Sequence, residues 1–246
     1  EEDFIAFSSL DSIAWLTNLR ASDVSISPLF LSYALLDEKK RHLHIFTDKS
    51  RLSSEIEKGL KESVTFHAYE TFEPLLIERI NKGDSVLVDP SENAVWVFDI
   101  AKKTGAKIIE KSNPMILLKA CKNKVEQEAI RHAHKLDGAA LTKFFAWFDI
   151  HKDSDTLTET SVEEKLYAYR AQSNIFRGVS FDPISGFASN GAVIHYRAKE
   201  ETAKTIQGDG LYLLDSGGQY LDGTTDVTRT IAIGQPNREQ RDRFTR

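Results

Sequence analysis

Short apolar runs alternate with amphipathic stretches through residues 1–112, and this alternation restricts the fold more than any other feature. The apolar runs contain β-branched and aromatic residues and end at polar or turn residues, so each is predicted to be a strand: SIAWLTNL (12–19), LFLSYALL (29–36), HLHIFT (42–47) and SVLVDP (85–90). Helical spacing marks RLSSEIEKGLKES (51–63), TFEPLLIERINKG (71–83) and ENAVWVFDIAKKTGAKIIEK (92–111), where a helix ends near Gly105 and a short strand follows. Strands that alternate with helices predict a compact α/β domain with a mixed sheet.

A proline-containing segment and a long amphipathic helix mark the second half of the chain. KSNPMILLKACKN (111–123) breaks the regular pattern at Pro114, and a helix is then predicted from about Lys124 to Ile150. Its apolar residues recur mostly at steps of three and four and form one stripe: Val125, Ala129, Ala133, Leu136, Ala140, Phe144, Trp147 and Phe148. We therefore predict two domains, residues 1–112 and 113–246.

A second helix and a series of strands complete the predicted second domain. In TSVEEKLYAYRAQS (160–173), Thr160 or Ser161 is the predicted N-cap, with Glu163 or Glu164 in the capping-box position. The pattern becomes strand-like from Phe176 onward. The predicted fold class is therefore α/β, in the broad sense that includes α+β.

The composition argues against two classes of partner. Hydrophobic residues make up 41% and charged residues 28% of the 246 residues, and the net charge is −5. Because Lys and Arg form no basic block, we expect neither nucleic-acid binding nor attachment to a membrane surface. No apolar run approaches the roughly 18 residues of a membrane helix. The single cysteine, Cys121, cannot form an internal disulfide, which fits a cytoplasmic protein.

The stretch LYLLDSGGQYLDGTTDVTRT (211–230) carries the clearest chemical signal. Asp222-Gly223 is a strong hairpin-turn signal between two strand-like runs. Asp215 and Asp226 are eleven residues apart, an odd offset that lets them face the same side of the sheet. Two carboxylates on one face repel each other unless a cation lies between them, and Mg²⁺ or Mn²⁺ suits such oxygen ligands. The alternative is an ordinary hairpin whose aspartates cap turns through their side chains.

The sequence of this stretch resembles that of the metal-binding hairpin of the Xaa-Pro aminopeptidase family, within the creatinase/methionine-aminopeptidase "pita-bread" superfamily. The resemblance covers nearly the whole chain in order. LDSIAWLTNLRASDVSISPLFLSYALL (10–36) is similar to the start of the family's second, non-catalytic domain, and LLKACKNKVEQEAIRHAHKLDGAALTKFFAWF (117–148) to the first helix of its catalytic domain. GAVIHYRA (191–198) matches the strand that precedes the hairpin. The implied architecture is a creatinase N-terminal-like α/β domain followed by a truncated pita-bread catalytic domain.

The resemblance implies roles for three residues. Asp215 corresponds to the aspartate that chelates one ion of a dinuclear site, usually manganese, although other divalent metals are compatible. Asp226 corresponds to the aspartate that bridges the two ions, and His195 to the histidine beside the substrate. Asp222 matches a turn position instead. From the residues alone, a lone histidine in the apolar run AVIHY is more often a core residue than a catalytic one.

The two ends suggest a piece of a longer protein. The first residues, Glu1, Glu2 and Asp3, include neither a methionine nor a signal sequence, and NREQRDRFTR (237–246) begins a helix at Pro236 and Asn237 without a stop signal. The resemblance implies that the remaining metal ligands, a histidine and two glutamates, lie beyond Arg246. We therefore expect the isolated chain to be inactive and the intact protein to be a homodimer.

The expected activity of the intact protein is metal-dependent hydrolysis of the bond between an N-terminal residue and a following proline. Its partners would be peptides with proline at the second position. A prolidase-like dipeptidase is the alternative within the same superfamily. A pita-bread module that has lost its metal and binds peptides or proteins is the alternative outside enzymes.

Overall fold

A six-stranded mixed sheet forms the centre of the first half of the chain in the computed structural model, which describes residues 2–152, 154 and 156–246. The strands are β1 (Phe4–Phe7), β2 (Ser32–Asp37), β3 (His42–Thr47), β4 (Val64–Ala68), β5 (Ser85–Val88) and β6 (Lys107–Glu110). They lie in the order β4-β3-β2-β1-β5-β6, and neighbours are parallel except for β1 with β2 and β2 with β3. By internal contacts the chain divides into two units, Glu1–Lys122 and Asn123–Arg246. The functional boundary drawn between residues 112 and 113 stays a prediction.

Helices cover both faces of this sheet. They are α1 (Leu10–Thr17), α2 (Ser54–Leu60), α3 (Phe72–Arg79), α4 (Val95–Lys103) and α5 (Met115–Ala120). Because side chains alternate along a strand, β1 contributes Ile5 and Phe7 to one core and Phe4 and Ala6 to the other. The predicted α/β fold class is confirmed, and so are the strands β2, β3, β5 and β6 and the helices α2, α3 and α4.

The prediction of a strand in SIAWLTNL is wrong, because this segment forms most of α1. Ser12, Ile13 and Ala14 are consecutive and all buried, a pattern that an alternating half-exposed strand does not give. The helix ends at Asn18, which has a φ of 54° and donates its N–H to the carbonyl of Trp15. Asparagine is one of the few residues that tolerate this left-handed end. The strands β1 and β4 were not predicted.

The second unit combines two long helices with two small antiparallel sheets. Its elements are α6 (Lys124–His151), α7 (Glu159–Arg170), β7 (Phe176–Val179), β8 (Ile184–Phe187), β9 (Gly210–Ser216), β10 (Gly218–Tyr220), β11 (Gly223–Thr224), β12 (Val227–Ile233) and α8 (Arg238–Thr245). One sheet has the order β11-β10-β7 and the other β12-β9-β8. The core of the unit lies where α6 and α7 pack on the second sheet, through residues such as Phe144, Phe148, Val162, Leu166 and Tyr212.

The long helix predicted from Lys124 to Ile150 is confirmed as α6, and its apolar stripe is buried at Ala133, Ala140, Phe144 and Phe148. The predicted cap of α7 is wrong by two or three residues. Thr158 is the N-cap, and it forms a capping box with Ser161. The predicted start of the last helix is confirmed, since Asn237 caps α8.

The predicted strand GAVIHYRA is wrong as well. A 3-10 helix, Ala188–Ala192, occupies its beginning, and the strand before the hairpin in sequence is β8. The chain leaves the sheet directly after β8, because Ala188 has a left-handed φ of 53°. Within the described residues, no helix has the length and hydropathy that crossing a bilayer requires.

Candidate metal centre

Asp215 lies near the end of β9, on the more exposed face of its sheet. Tyr212, Leu214 and Ser216 are buried, and the residues between them are only partly buried. Tyr212 stacks on Phe148 of α6 with 5.3 Å between the ring centroids, so the buried face is the one that packs on the helix. Since side chains alternate along a strand, Asp215 points to the opposite face.

The pairing of β9 with β12 places Asp226 on the same face as Asp215. Thr228 is directly opposite Asp215, and its Oγ1 donates to Asp215 Oδ1 at 2.8 Å. Asp226 precedes Thr228 by two residues and comes immediately before the ladder begins at Val227. A step of two residues returns to the same face, so the register makes Asp226 the diagonal neighbour of Asp215. The assignment of both aspartates as metal ligands stays a prediction.

A close backbone crossing fixes the approach to Asp226. Thr225 is fully buried, and its Oγ1 accepts the N–H of Gly218 at 2.9 Å. The carbonyl of Thr225 accepts the hydroxyl of Ser180 at 2.8 Å. A Cβ atom on Gly217 would lie only 1.9 Å from that carbonyl oxygen, so only glycine fits there. The first glycine of the DSGG sequence is therefore required for steric reasons.

Asp222 lies at the turn between β10 and β11 and contacts α6. Tyr220 pairs with Gly223, so the two central turn residues are Leu221 and Asp222, one position earlier than the Asp-Gly signal indicated. The Asp222 carboxylate lies 2.5 Å from Nδ1 of His132. The position of Asp222 between Tyr220 and Gly223 agrees with the turn role that the resemblance implied.

His195 is an exposed residue in a turn after the 3-10 helix, so the alternative of a core histidine is wrong. Its φ is 54°, a left-handed value that is unusual for a residue with a side chain. The turn is closed by the N–H of Tyr196, which donates to the carbonyl of Val193 at 3.1 Å. The structure thus presents the imidazole to solvent from a constrained backbone.

The donors present fit part of a site for a hard divalent cation. Asp215 and Asp226 offer carboxylate oxygens on one sheet face, and such oxygens suit Mg²⁺ or Mn²⁺. In the part of the chain that the structure describes, no three His, Cys, Asp or Glu side chains are arranged to hold a metal ion. His195 therefore does not complete a ligand set with the two aspartates.

A buried ion pair supports the β9 end that carries Asp215. Arg170 of α7 and Asp137 of α6 are each 1% exposed, and Arg170 Nε donates to Asp137 Oδ1 at 2.7 Å. Arg170 Nη2 also donates to the hydroxyl of Ser216, the residue after Asp215, at 3.2 Å. The Tyr220 hydroxyl donates to Asp137 Oδ1 at 2.8 Å. Burial and this hydrogen bond raise the pKa of Tyr220 above its usual range, so it remains a donor.

A second buried carboxylate supports the segment that carries His195. Glu159 is completely buried at the start of α7. Its oxygens accept the backbone N–H groups of Phe187 at 2.6 Å and Lys204 at 2.9 Å. They also accept the side-chain amide of Asn190 and, at 2.8 Å, the hydroxyl of Tyr196. Burial and the bond to Glu159 raise the pKa of Tyr196 to about 12.

Sequence reasoning missed both buried carboxylates, but one of them had a visible signal. Asp137 lies four residues after Ala133 and three before Ala140, so it interrupts the apolar stripe at a buried position. A charge there requires a buried partner. Glu159 gave no such signal, because an acidic residue in the first turn of a helix usually lies on the surface near the positive end of the dipole.

Comparisons with known families divide the chain in two. Residues 1–126 match the creatinase/prolidase N-terminal domain, and residues 128–246 match metallopeptidase family M24. Each half of the chain therefore has a recognised relative, and the two occur in the order that the resemblance implied.

Individual relatives agree with this division. The chain is 40% identical to Xaa-Pro aminopeptidase 1 of Dictyostelium discoideum over 99% of its own length and 39% of that protein. It is 39% identical to a probable Xaa-Pro aminopeptidase P of Arthroderma benhamiae over 96% of its length and 35% of that protein. The chain thus spans between a third and two fifths of these relatives.

Solved structures show the same similarity. An X-prolyl aminopeptidase of Caenorhabditis elegans, described as a cytosolic enzyme with a di-nuclear active site, superposes with a TM-score of 0.88 at 28% identity. The match covers 97% of this chain and 40% of that one. An Xaa-Pro dipeptidase of Bacillus anthracis shares the fold, with a TM-score of 0.73 at 19% identity over 99% of this chain and 64% of that one.

Proposed function

Because this chain belongs to the creatinase/prolidase N-terminal domain family and its second half matches metallopeptidase family M24, we propose that the whole protein is a metal-dependent Xaa-Pro aminopeptidase. It hydrolyses the bond between an N-terminal residue and a following proline. The observation that supports this most directly is the register of β9 with β12, which puts Asp215 and Asp226 on one face. Relatives of that activity, about 40% identical to this chain, add to the support.

Asp215 and Asp226 are the residues of this chain that would hold the metal, and manganese is the ion proposed. When bound, two such cations supply Lewis-acid activation of water and of the scissile carbonyl. Thr228 orients the Asp215 carboxylate by donating to Oδ1, which leaves Oδ2 for a cation. Because the described residues provide no third ligand with them, we propose that this chain alone does not cleave peptides.

His195 is proposed to contact the substrate near the reacting carbonyl. Its imidazole is exposed and can donate or accept a hydrogen bond. The bond before proline has no N–H to be recognised, so the substrate must be selected by the shape of the proline ring. We further propose that the whole protein is a cytoplasmic homodimer. Light scattering of the purified whole protein tests the dimer.

The test is release of the N-terminal residue from an Xaa-Pro-Pro peptide by the whole protein, with Mn²⁺ and after chelation. An Xaa-Pro dipeptide is assayed in parallel. We expect metal-dependent release from the longer peptide. Cleavage confined to the dipeptide would identify a prolidase, and no cleavage by a folded, Mn²⁺-loaded protein would favour a binding module.

Asp226→Asn provides the matched test of the site, with Asp222→Asn as its control. Both substitutions remove a carboxylate from the same hairpin, but only Asp226 shares a face with Asp215. We expect Asp226→Asn to abolish release and Asp222→Asn to retain most of it. Equal losses would argue against Asp226 as a ligand.

A further inference from the structure

The segment between β8 and β9 is long, has little regular structure, and carries His195. Residues 188–203 contain only the 3-10 helix Ala188–Ala192. Several residues of the segment are exposed, among them Val193 at 54% and Ile194 at 87%. A loop of this kind samples many conformations unless its ends and its interior are tied down. The left-handed backbone of His195 costs free energy, so the structure around it must hold it in place.

Both ends of this segment are tied to one carboxylate. Glu159 Oε1 accepts the N–H of Phe187, and Oε2 accepts the N–H of Lys204. The backbone N–H of Glu159 also donates to the carbonyl of Lys204 at 3.1 Å. Glu159 therefore closes the segment at both sides through buried hydrogen bonds.

The interior of the segment reaches the same carboxylate next to His195. Tyr196 follows His195 directly, and its hydroxyl donates to Glu159 Oε2 while it accepts the side-chain amide of Asn190 at 2.7 Å. Asn190 in turn donates to both oxygens of Glu159, at 3.1 and 3.0 Å. Side chains on both sides of His195 are thus bonded to one buried group.

We propose that Glu159 positions His195, because its buried carboxylate gathers Phe187, Asn190, Tyr196 and Lys204 and so holds the intervening turn. Glu159 does not touch the substrate and acts only through His195. The inference rests on the proposed function, in which His195 contacts the peptide. It names the group on which the placement of that histidine depends.

Only a carboxylate can satisfy this arrangement. Each oxygen of Glu159 accepts a different backbone N–H. A glutamine presents one oxygen and one NH₂ group, so in either orientation one backbone N–H faces another donor. Glu159→Gln therefore breaks one end of the segment at nearly constant volume. Glu163→Gln is the matched control, because this acid lies one turn later on α7 and its Oε1 has no hydrogen-bond partner among the described residues.

The first measurement is hydrogen exchange of the whole protein, which does not depend on activity. We expect faster exchange across residues 187–204 in Glu159→Gln and no such increase in Glu163→Gln. Unchanged exchange in Glu159→Gln would overturn the inference. If the unaltered protein proves to lack peptidase activity, the proposed function fails, and this measurement still decides whether Glu159 holds the segment.

The second measurement is steady-state kinetics on the Xaa-Pro-Pro peptide. We expect Glu159→Gln to lower kcat by about 10²-fold with little change in KM, since a misplaced group loses transition-state contacts first. In a His195→Ala background the same substitution should lower kcat by less than about twofold, because the side chain that Glu159 positions is then absent. An equal loss in both backgrounds would show that Glu159 does not act through His195.

Tyr196→Phe supplies the same test if Glu159→Gln does not fold. It removes one hydroxyl bond to Glu159 next to His195 and keeps the ring. We expect the same pattern at smaller size, with a fall in kcat of about tenfold that disappears in the His195→Ala background. A full-sized fall in that background would contradict the proposal.

Discussion

Asp137 and Glu159 are both buried carboxylates of the second unit, yet only one of them faces a cation. Asp137 is 1% exposed and pairs with Arg170, whereas Glu159 is 0% exposed and is surrounded by neutral donors. The comparison shows two ways to keep a charge in a protein interior. One compensates it with the opposite charge, and the other with several oriented N–H and O–H groups.

The two arrangements also hold different kinds of structure. The Asp137–Arg170 pair joins α6 and α7 to the end of β9 and to Tyr220 of β10, all of them regular elements. Glu159, the first residue of α7, instead binds the end of β8 and the irregular segment that follows it. In terms of the proposed site, the first supports Asp215 and the second supports His195.

Arg170→Ala should have the largest effect on stability. It leaves Asp137 as a buried carboxylate without its cation, which costs about 3–5 kcal/mol of the free energy of unfolding. Urea unfolding followed by tryptophan fluorescence measures the loss. In the double variant Asp137→Leu with Arg170→Met most of it should return, because both charges are then absent. A double variant as unstable as Arg170→Ala would mean that the charge is not the cause.

Glu159→Gln should destabilise the protein less, by about 1–3 kcal/mol. The substitution removes the charge but leaves one backbone N–H and some side-chain donors satisfied, so the loss is that of an unpaired donor. The same urea measurement compares the two variants. A loss of unfolding free energy equal to that of Arg170→Ala would contradict the expected difference between the ionic and the neutral arrangement.

Most of the fold prediction rests on the spacing of apolar residues. It failed at α1, where buried residues follow one another directly. The long helix α6 was recognised from a stripe of apolar residues, which no strand could have produced. The segment of α1 is too short and too uniformly apolar for its sequence to distinguish the helical period from the strand period. The offset between Asp215 and Asp226 could be interpreted without a structure because the period of a strand is two.

The residues that hold the proposed site in place could not be predicted from the spacing of residues along the sequence. Nothing local indicates that Glu159 meets Lys204, 45 residues away along the chain. The break in strand pattern at Ala188 depends on a left-handed φ that alanine rarely adopts, so composition predicted the opposite. Contacts between residues far apart in sequence determine both features.

Glu163 lies one turn after Glu159 on α7 and offers a separate test by titration. Burial raises the pKa of Glu163 to about 7, with Arg197 acting against this and Glu159, Asp182 and Glu164 adding to it. Its folded-state pKa is above its unfolded value of 4.5, so the folded protein binds the proton more tightly. Stability from this group is therefore present at low pH and falls as the pH rises from about 4.5 to about 7.

Glu163→Gln should accordingly flatten the dependence of stability on pH in that window and slightly stabilise the protein above it. Urea midpoints measured at several pH values check this, with the unaltered protein beside the variant. The gain should be smaller than the loss in Glu159→Gln, because Glu163 is only half-buried and solvent screens it. A steeper pH dependence in the variant would show that Glu163 is charged in the folded state.

We expect the smallest loss of stability at the contact between His132 and Asp222, which is exposed whereas the Asp137–Arg170 pair is buried. His132 lies on α6, one and a half turns before Asp137, and meets Asp222 of the hairpin. The two side chains are 57% and 33% exposed, so water competes for both groups. His132→Ala should cost about 1 kcal/mol or less. His134→Ala is the control, since its Nδ1 lies 2.9 Å from the carbonyl of Ile130 in its own helix. A loss at His132 close to that of Arg170→Ala would mean that the turn, and not the buried ion pair, anchors the hairpin to α6.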